Sequence, residues 1–205
     1  MAKNRGINQN KDLRNIHKQL RNDLSATEHK LKSADIVKNT LALLESDFKG
    51  ANIFLCYYPY NSEVDLLPLY ERLLARGKSL FFPVSDIENH RLLFYKISDL
   101  RSDFETGAYG IFEPFNKSEL FDFENTIINK NTTIICITPG LVFDRNFNRI
   151  GYGAGFYDRF LFDKNIIKIA PCFSNQLEAS IPVMEHDVKM DIIITDNEVL
   201  KGDKL

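Results

Sequence analysis

The sequence predicts an α/β domain built on a mostly parallel sheet, and three observations carry that prediction. Runs of strand length, NIFLCYY from Asn52 and TIICIT from Thr133, are continuously apolar inside their polar end residues instead of alternating, as strands buried on both faces are. Helical segments separate many of these runs, which implies right-handed crossovers and a sheet covered on both sides. Finally, 205 residues are long for one domain and short for two, so a single domain over 1–205 is expected.

The first 25 residues are rich in Lys, Arg, Asn and Gln. Leu13, Ile16, Leu20 and Leu24 recur at spacings of three and four, which predicts a surface helix docked by that narrow stripe. Ser25 followed by Glu28 is a capping box, and Leu31, Val37, Leu41 and Leu44 carry a second helix to about Leu44, with a break over Ser46 to Ala51. After the strand at Asn52 comes a helix from Leu66 to Arg76, ended by Gly77, and a short strand from Ser79 to Pro83. Further strands are expected at Leu92–Ile97, Thr133–Thr138, Ile166–Ala170 and Ile192–Thr195. The segment from Asp99 to Asn131 reads only as helix, loop and a short GIFEP stretch.

Composition narrows the function classes. Hydrophobic residues make up 44% and charged residues 26%, an ordinary globular balance, and a formal charge of -2 gives no general attraction to nucleic acid or anionic membranes. Cys56, Cys136 and Cys172 form an odd set without CxxC spacing, as expected of buried thiols in a reducing compartment. Asn4, Arg5, Asn8 and Gln9 stand where a secretory signal would be apolar, and no run approaches the length of a membrane span. A cytoplasmic protein, monomeric because one domain of this size buries its own core, is the expectation.

The chemistry concentrates in RIGYGAGFYDRFL, Arg149 to Leu161. TIICITPG brings a strand to a change of direction at Pro139-Gly140, and open α/β sheets place ligands beyond the carboxyl ends of their strands. Gly151, Gly153 and Gly155 then permit positive φ and let backbone N–H groups approach an anion. FYDRFLF follows as a short helix whose first turn offers further donors. A Rossmann fingerprint is excluded because Phe156 stands where its last glycine belongs, and a P-loop is excluded because no Gly-Lys-Ser/Thr occurs. Left alone, the glycines form either a tight packed loop or an anion cradle. Arg149 favours the cradle because it can meet phosphate oxygens, and Asp158 because it can reach a bridging cation.

PGLVFDRNFNRIGYGAGFYDRFL resembles the signature of the 5-formyltetrahydrofolate cyclo-ligase family, whose enzymes are also called methenyltetrahydrofolate synthetases. The likeness extends to KDLR at residue 11 with Leu24-Ser25 beyond it, YYPYNSEVD, GIFEP, and IPVMEHDVKMD. The resemblance implies a three-layer αβα fold with a mostly parallel, Rossmann-like sheet (NagB/RpiA/CoA transferase-like). It also implies a ligase that forms a C–N bond, with ATP as co-substrate, Mg2+ as cofactor and 5-formyltetrahydrofolate as substrate. ATP phosphorylates the formyl oxygen, a neighbouring amine closes the ring, and phosphate leaves.

Carried over residue by residue, the resemblance puts ATP on Lys11, Arg14 and the stretch Arg149, Ile150, Gly151, Tyr152, Gly153, Ala154, Gly155, Phe156 and Tyr157. It puts the folate on Glu63 and Tyr57 and on Tyr152 to Phe156, and the metal on Asp158 and Asp187. Arg149, Tyr157 and Asp158 carry the chemistry. Plainer readings stand beside these. Lys11 and Arg14 suit a solvated helix face, Glu63 suits a cap for the helix at Leu66, Asp187 suits a turn and Tyr57 suits the core. Two departures are notable: Ala154 stands where relatives often have Gly or Lys, and Phe156 replaces a frequent Tyr. A catalytically silent binding relative and another enzyme on a similar scaffold, such as a sugar-phosphate isomerase, are the competing functions.

Overall fold

In the computed structural model the chain alternates helix and strand around one large sheet; the structure describes residues 2–115, 117, 119–127 and 132–203. The remainder of the weakly patterned stretch before Asn131 lies outside the described residues. Helix α1 (Ala2–Asn22) leads to α2 (Ala26–Ser46), which opens with the expected capping box: Glu28 N–H donates to Ser25 Oγ and Ser25 N–H to the Glu28 carboxylate. Strand β1 (Ile53–Leu55), helix α3 (Leu67–Ala75), and strands β2 (Ser79–Asp86) and β3 (Arg91–Ile97) follow. Next come β4 (Phe104–Thr106), β5 (Phe112–Pro114) and the short α4 (Phe123–Ile127). The last part holds β6 (Ile134–Ile137), β7 (Val142–Asp144), β8 (Arg149–Ile150), α5 (Phe156–Leu161), β9 (Ile167–Pro171), β10 (Leu177–Glu178), β11 (Ile192–Ile194) and β12 (Val199–Lys201).

The main sheet has seven strands in the order β12-β11-β9-β6-β1-β2-β3. The inner strands pair in parallel, and β3 and β12 close the two edges antiparallel. Successive side chains explain the apolar runs. Phe54, Ile135, Ile137, Ile192 and Ile194 face α2 and α3, whereas Leu55, Ile134, Cys136 and Ile193 face the opposite core with α4 and α5. Every strand residue in these runs except the half-buried Ile53 is thus buried, and the three-layer arrangement follows.

From β1 the chain winds to β2 on one side, whereas β6, β9 and β11 build outward on the other. The carboxyl ends of β1 and β6 therefore flank the point where strand order reverses, the usual place for a crevice in such sheets. Tyr57 to Glu63 leave β1 there, and Pro139-Gly140 leave β6.

Two expectations need correction. Helix α1 docks by only part of the expected stripe: Ile16 and Leu20 are exposed, and the seated side carries Asn10, His17 and Arg21 with Leu13, while Leu24 packs just past the helix end. The period is helical, but the face is rotated because hydrogen bonds hold it. His17 meets the Asn175 carbonyl at 3.0 Å and Glu178 Oε1 at 2.9 Å. Likewise β2 and β3 form a hairpin with no crossover helix. Asp86 gathers Asn89 N–H, Asn89 Nδ2 and Arg91 Nε into a tight turn that extends β2 beyond Pro83.

Candidate active site

From the end of β6 the backbone turns at Pro139-Gly140, and a Cβ on Gly140 would lie 2.5 Å from Phe143 Cζ, so only glycine lets the chain pass that ring. The β7–β8 hairpin then delivers Arg149 into the crevice. Its guanidinium is buried: Nη2 donates to Asp158 Oδ1 at 2.8 Å and Nη1 to the Pro139 carbonyl at 3.3 Å. Nε, also buried, has no partner among the described residues. Between Arg149 and Asp158 runs the glycine loop. Gly153 (φ +107°) and Gly155 (φ +67°) adopt left-handed backbone, and a Cβ on Gly151 would stand 2.6 Å from Arg149 Nη1. The N–H groups of Gly153, Ala154 and Gly155 meet no acceptor among the described residues.

This loop forms one wall of a cavity of about 500 Å³, a size suited to a small-molecule ligand. The opposite wall comes from the segment after β1 and from the β4–β5 hairpin, where Tyr58 packs against Phe112 at 5.0 Å and Phe104 at 4.8 Å. Deep between the walls lies Glu63, only 6% exposed. Its Oε1 accepts the Tyr152 hydroxyl at 2.6 Å and its Oε2 the Tyr60 N–H at 3.0 Å. Burial pushes this carboxyl up from its ordinary value, while Tyr152, Arg21 and the Tyr60 N–H oppose the rise. Burial also raises the phenols of Tyr57, Tyr152 and Tyr157, which all stay neutral.

A model of the 5-formyltetrahydrofolate cyclo-ligase family matches residues 7–196, nearly the whole chain. The chain belongs to that family. The 5-formyltetrahydrofolate cyclo-ligase of Haemophilus influenzae is 27% identical over 86% of this chain and 92% of its own length. The enzyme of the same name from Escherichia coli K12 is 28% identical over 73% and 80%. Among solved structures, the 5,10-methenyltetrahydrofolate synthetase of Aquifex aeolicus superposes with a TM-score of 0.76 at 28% identity, covering 96% of this chain and 95% of the other. That of Mycoplasma pneumoniae, at 21% identity and a TM-score of 0.69 over 91% and 98%, shares the fold. The relatives are ligases, and the family's mostly parallel sheet flanked by helices is the fold described above.

The cyclo-ligase signature residues converge on the one cavity. Tyr57, Glu63, Arg14, Asp187 and the whole stretch from Arg149 to Asp158 line it. Arg14 reaches from α1 to the Gly151 carbonyl at 2.9 Å, which seats the helix on the loop. Lys11 stands apart: it is exposed and not part of the lining, and Asn10 beside it faces inward. Glu63 does not cap α3, since the Leu67 N–H donates to Asp65. Ala154 is exposed on the rim, and Phe156 lies under the Arg159 guanidinium at 5.4 Å. Sequence reading missed Arg21, Asn10 and Glu113. Glu113 sits inside the noted GIFEP stretch and accepts the Ser85 N–H at 2.9 Å, and its burial on a hairpin had no local signal.

The donor set fits a nucleotide and a hard cation. Asp158 Oδ1 is taken by Arg149 and by the Val188 N–H, and Asp187 Oδ2 by the Met184 N–H, which leaves a second oxygen of each carboxylate without a described partner. Among the described residues no three His, Cys, Asp or Glu side chains cluster as a metal cage. Two carboxylates completed by phosphate oxygens and water are the usual environment of Mg2+. Arg149 Nε and the Tyr157 hydroxyl, on residues that line the same cavity, are buried donors without a partner among the described residues.

Proposed function

We propose that the chain uses ATP and Mg2+ to convert 5-formyltetrahydrofolate to 5,10-methenyltetrahydrofolate, with ADP and phosphate released. The observation that supports this best is that Glu63 and the Arg149–Asp158 pair face one cavity of about 500 Å³. One acidic site for a ring with N–H donors and one loop of amide donors for phosphates stand within reach of a single bound pair of substrates.

A formamide oxygen leaves poorly until it is phosphorylated. In the proposed course the formyl oxygen attacks the terminal phosphorus as the bond to ADP breaks. The neighbouring amine nitrogen then bonds to the formyl carbon and gives up its proton to solvent, and the oxygen departs with phosphate. Little covalent work falls to the protein, so positioning and charge neutralisation dominate. The Gly151–Gly155 amides and Arg14 hold the phosphates, Arg149 orients Asp158 and lends its remaining N–H, and Glu63 orients the folate. Tyr157, neutral and buried, keeps its hydroxyl as a donor beside Arg149. Held by Asp158 and Asp187, Mg2+ would neutralise the charge that builds on the transferring phosphoryl group.

This reading takes residues 1–205 as one domain acting as a cytoplasmic monomer, without nucleic acid or membrane. Three unpaired, buried cysteines suit a reducing compartment, and among the described residues no helix is long and apolar enough to cross a membrane. Purified protein given ATP, Mg2+ and 5-formyltetrahydrofolate is expected to generate the near-ultraviolet absorbance of the methenyl product. Folate binding with no such absorbance would replace this reading with that of a silent relative.

A further inference from the structure

Arg21 lies outside the family signature described above, yet it is 3% exposed and ends against Tyr152, behind the cavity wall. Its Nη2 donates to the Tyr152 hydroxyl at 2.8 Å and its Nε to Ser62 Oγ at 3.1 Å. A guanidinium can only donate, so the Tyr152 oxygen accepts from Arg21 and its own proton points to Glu63 Oε1, 2.6 Å away. With the Tyr60 N–H on Oε2, both carboxylate oxygens are held by donors, and each keeps a lone pair for a ligand. Among the described residues no cationic side chain pairs directly with the Glu63 carboxylate; the Arg21 charge reaches it through the phenol.

We propose that Arg21 is a positioning residue for substrate recognition: through the Tyr152 hydroxyl it fixes the Glu63 carboxylate in the orientation that meets two adjacent N–H donors, the pattern of a 2-aminopyrimidinone ring. This rests on the reading that Glu63 faces the folate. The linkage draws one residue from α1, one from the glycine loop and one from the segment after β1. Folate recognition and the phosphate loop thereby share a side chain. The other titratable groups facing Glu63 are Tyr57, Tyr157 on α5, and His29 on α2, whose Nε2 meets the Glu63 carbonyl at 2.9 Å.

The test compares wild type, Y152F, R21M, R21K and the Y152F/R21M double variant, with Michaelis constants for 5-formyltetrahydrofolate and for ATP measured from acid to neutral pH. Y152F is expected to raise the folate constant about tenfold while the ATP constant moves less than ~2-fold. The acid limb of the folate profile shifts to higher pH, because the carboxylate has lost donors that favour its ionised form. The double variant is no worse than the worse single one, since both break one chain, and R21K restores part of the loss. The same shift persists in an H29Q background, which keeps a donor for the Glu63 carbonyl but removes the imidazole. Equal losses toward ATP, additive losses, or an unmoved acid limb would overturn the inference. If R21M does not fold, Y152F decides, because that ring is half exposed. Wild type that neither binds nor turns over the folate defeats the proposed function itself; a wild type that turns over beside an unshifted Y152F defeats only the role of Arg21.

Discussion

Arg149 and Asp158, nine positions apart, form an ion pair at 2.8 Å in which the guanidinium side chain is 3% exposed and the carboxylate 24%. The pair closes the base of the glycine loop as a buckle closes a strap. It also ties together two roles that sequence reading kept separate, phosphate contact by the arginine and metal contact by the aspartate.

Replacing Asp158 with Asn is therefore expected to do two things. Metal-dependent turnover falls about hundredfold or more, the scale of losing one preorganised charge at the reacting centre. Stability also falls, by about 1–3 kcal/mol, because a buried guanidinium loses its counter-charge while Asn retains one acceptor. Product absorbance reads the first and a urea unfolding midpoint the second; an unchanged midpoint would mean that the pair adds nothing to the fold.

Glycines 151 and 155 answer to different constraints. At Gly155 the strain is in the backbone, at φ +67°, and the nearby Arg159 Nη1 at 2.9 Å belongs to an exposed side chain able to move. Gly155→Ala is expected to cost about 1–2 kcal/mol of stability. At Gly151 the new methyl would meet Arg149 Nη1, which is held in place, so Gly151→Ala displaces the arginine and raises the ATP constant about tenfold. Equilibrium unfolding and ATP titration, run on both variants, distinguish the two.

Ala154 sits on the exposed rim with its carbonyl bonded to Arg159 Nη2 at 2.7 Å. Ala154→Lys adds a cation beside the proposed phosphates without disturbing packing, so stability stays within about 0.5 kcal/mol. The ATP constant is expected to fall severalfold at low salt, with the gain shrinking as ionic strength rises. A gain indifferent to salt would speak against a phosphate at that rim.

Asp196 anchors the far side of the fold, accepting from Lys32 on α2 and from the Ser174 N–H and hydroxyl. Burial raises its carboxyl, but those donors together outweigh it and leave the group below its ordinary value. A depressed carboxyl contributes its full stability above the unfolded value of about 3.9 and loses it as pH falls through the folded value. Asp196→Asn should lower the unfolding midpoint at neutral pH and narrow its gap to wild type at the acid end. A gap constant with pH would show that the ionised form is not what holds α2.

Much of this was legible in residue order. Unbroken apolar runs at Ile53 and Ile134 marked the central strands because both faces of the sheet are covered, and the glycine spacing with Pro139-Gly140 marked the loop because few other residues permit that backbone. The hidden parts share a cause. Arg21 and His17 look like solvated charges on a helix, and Glu113 like a loop acid, until partners 28 to 161 positions away bury them. Periodicity reports apolar faces, whereas a face held by hydrogen bonds to distant atoms leaves no periodic mark.

The seat of α1 has a consequence for how the molecule is made. This helix is made before the sheet it packs on and carries Arg14 to the cavity and Arg21 to Tyr152 behind its wall, yet its anchors Asn175 and Glu178 come some 155 to 161 positions later in the chain. Until they appear, the helix is held only through Arg14, Arg21 and Leu13, so its seat on the pocket is completed late. A chain cut short before those anchors would carry every signature residue of the glycine loop and still be unable to assemble the site.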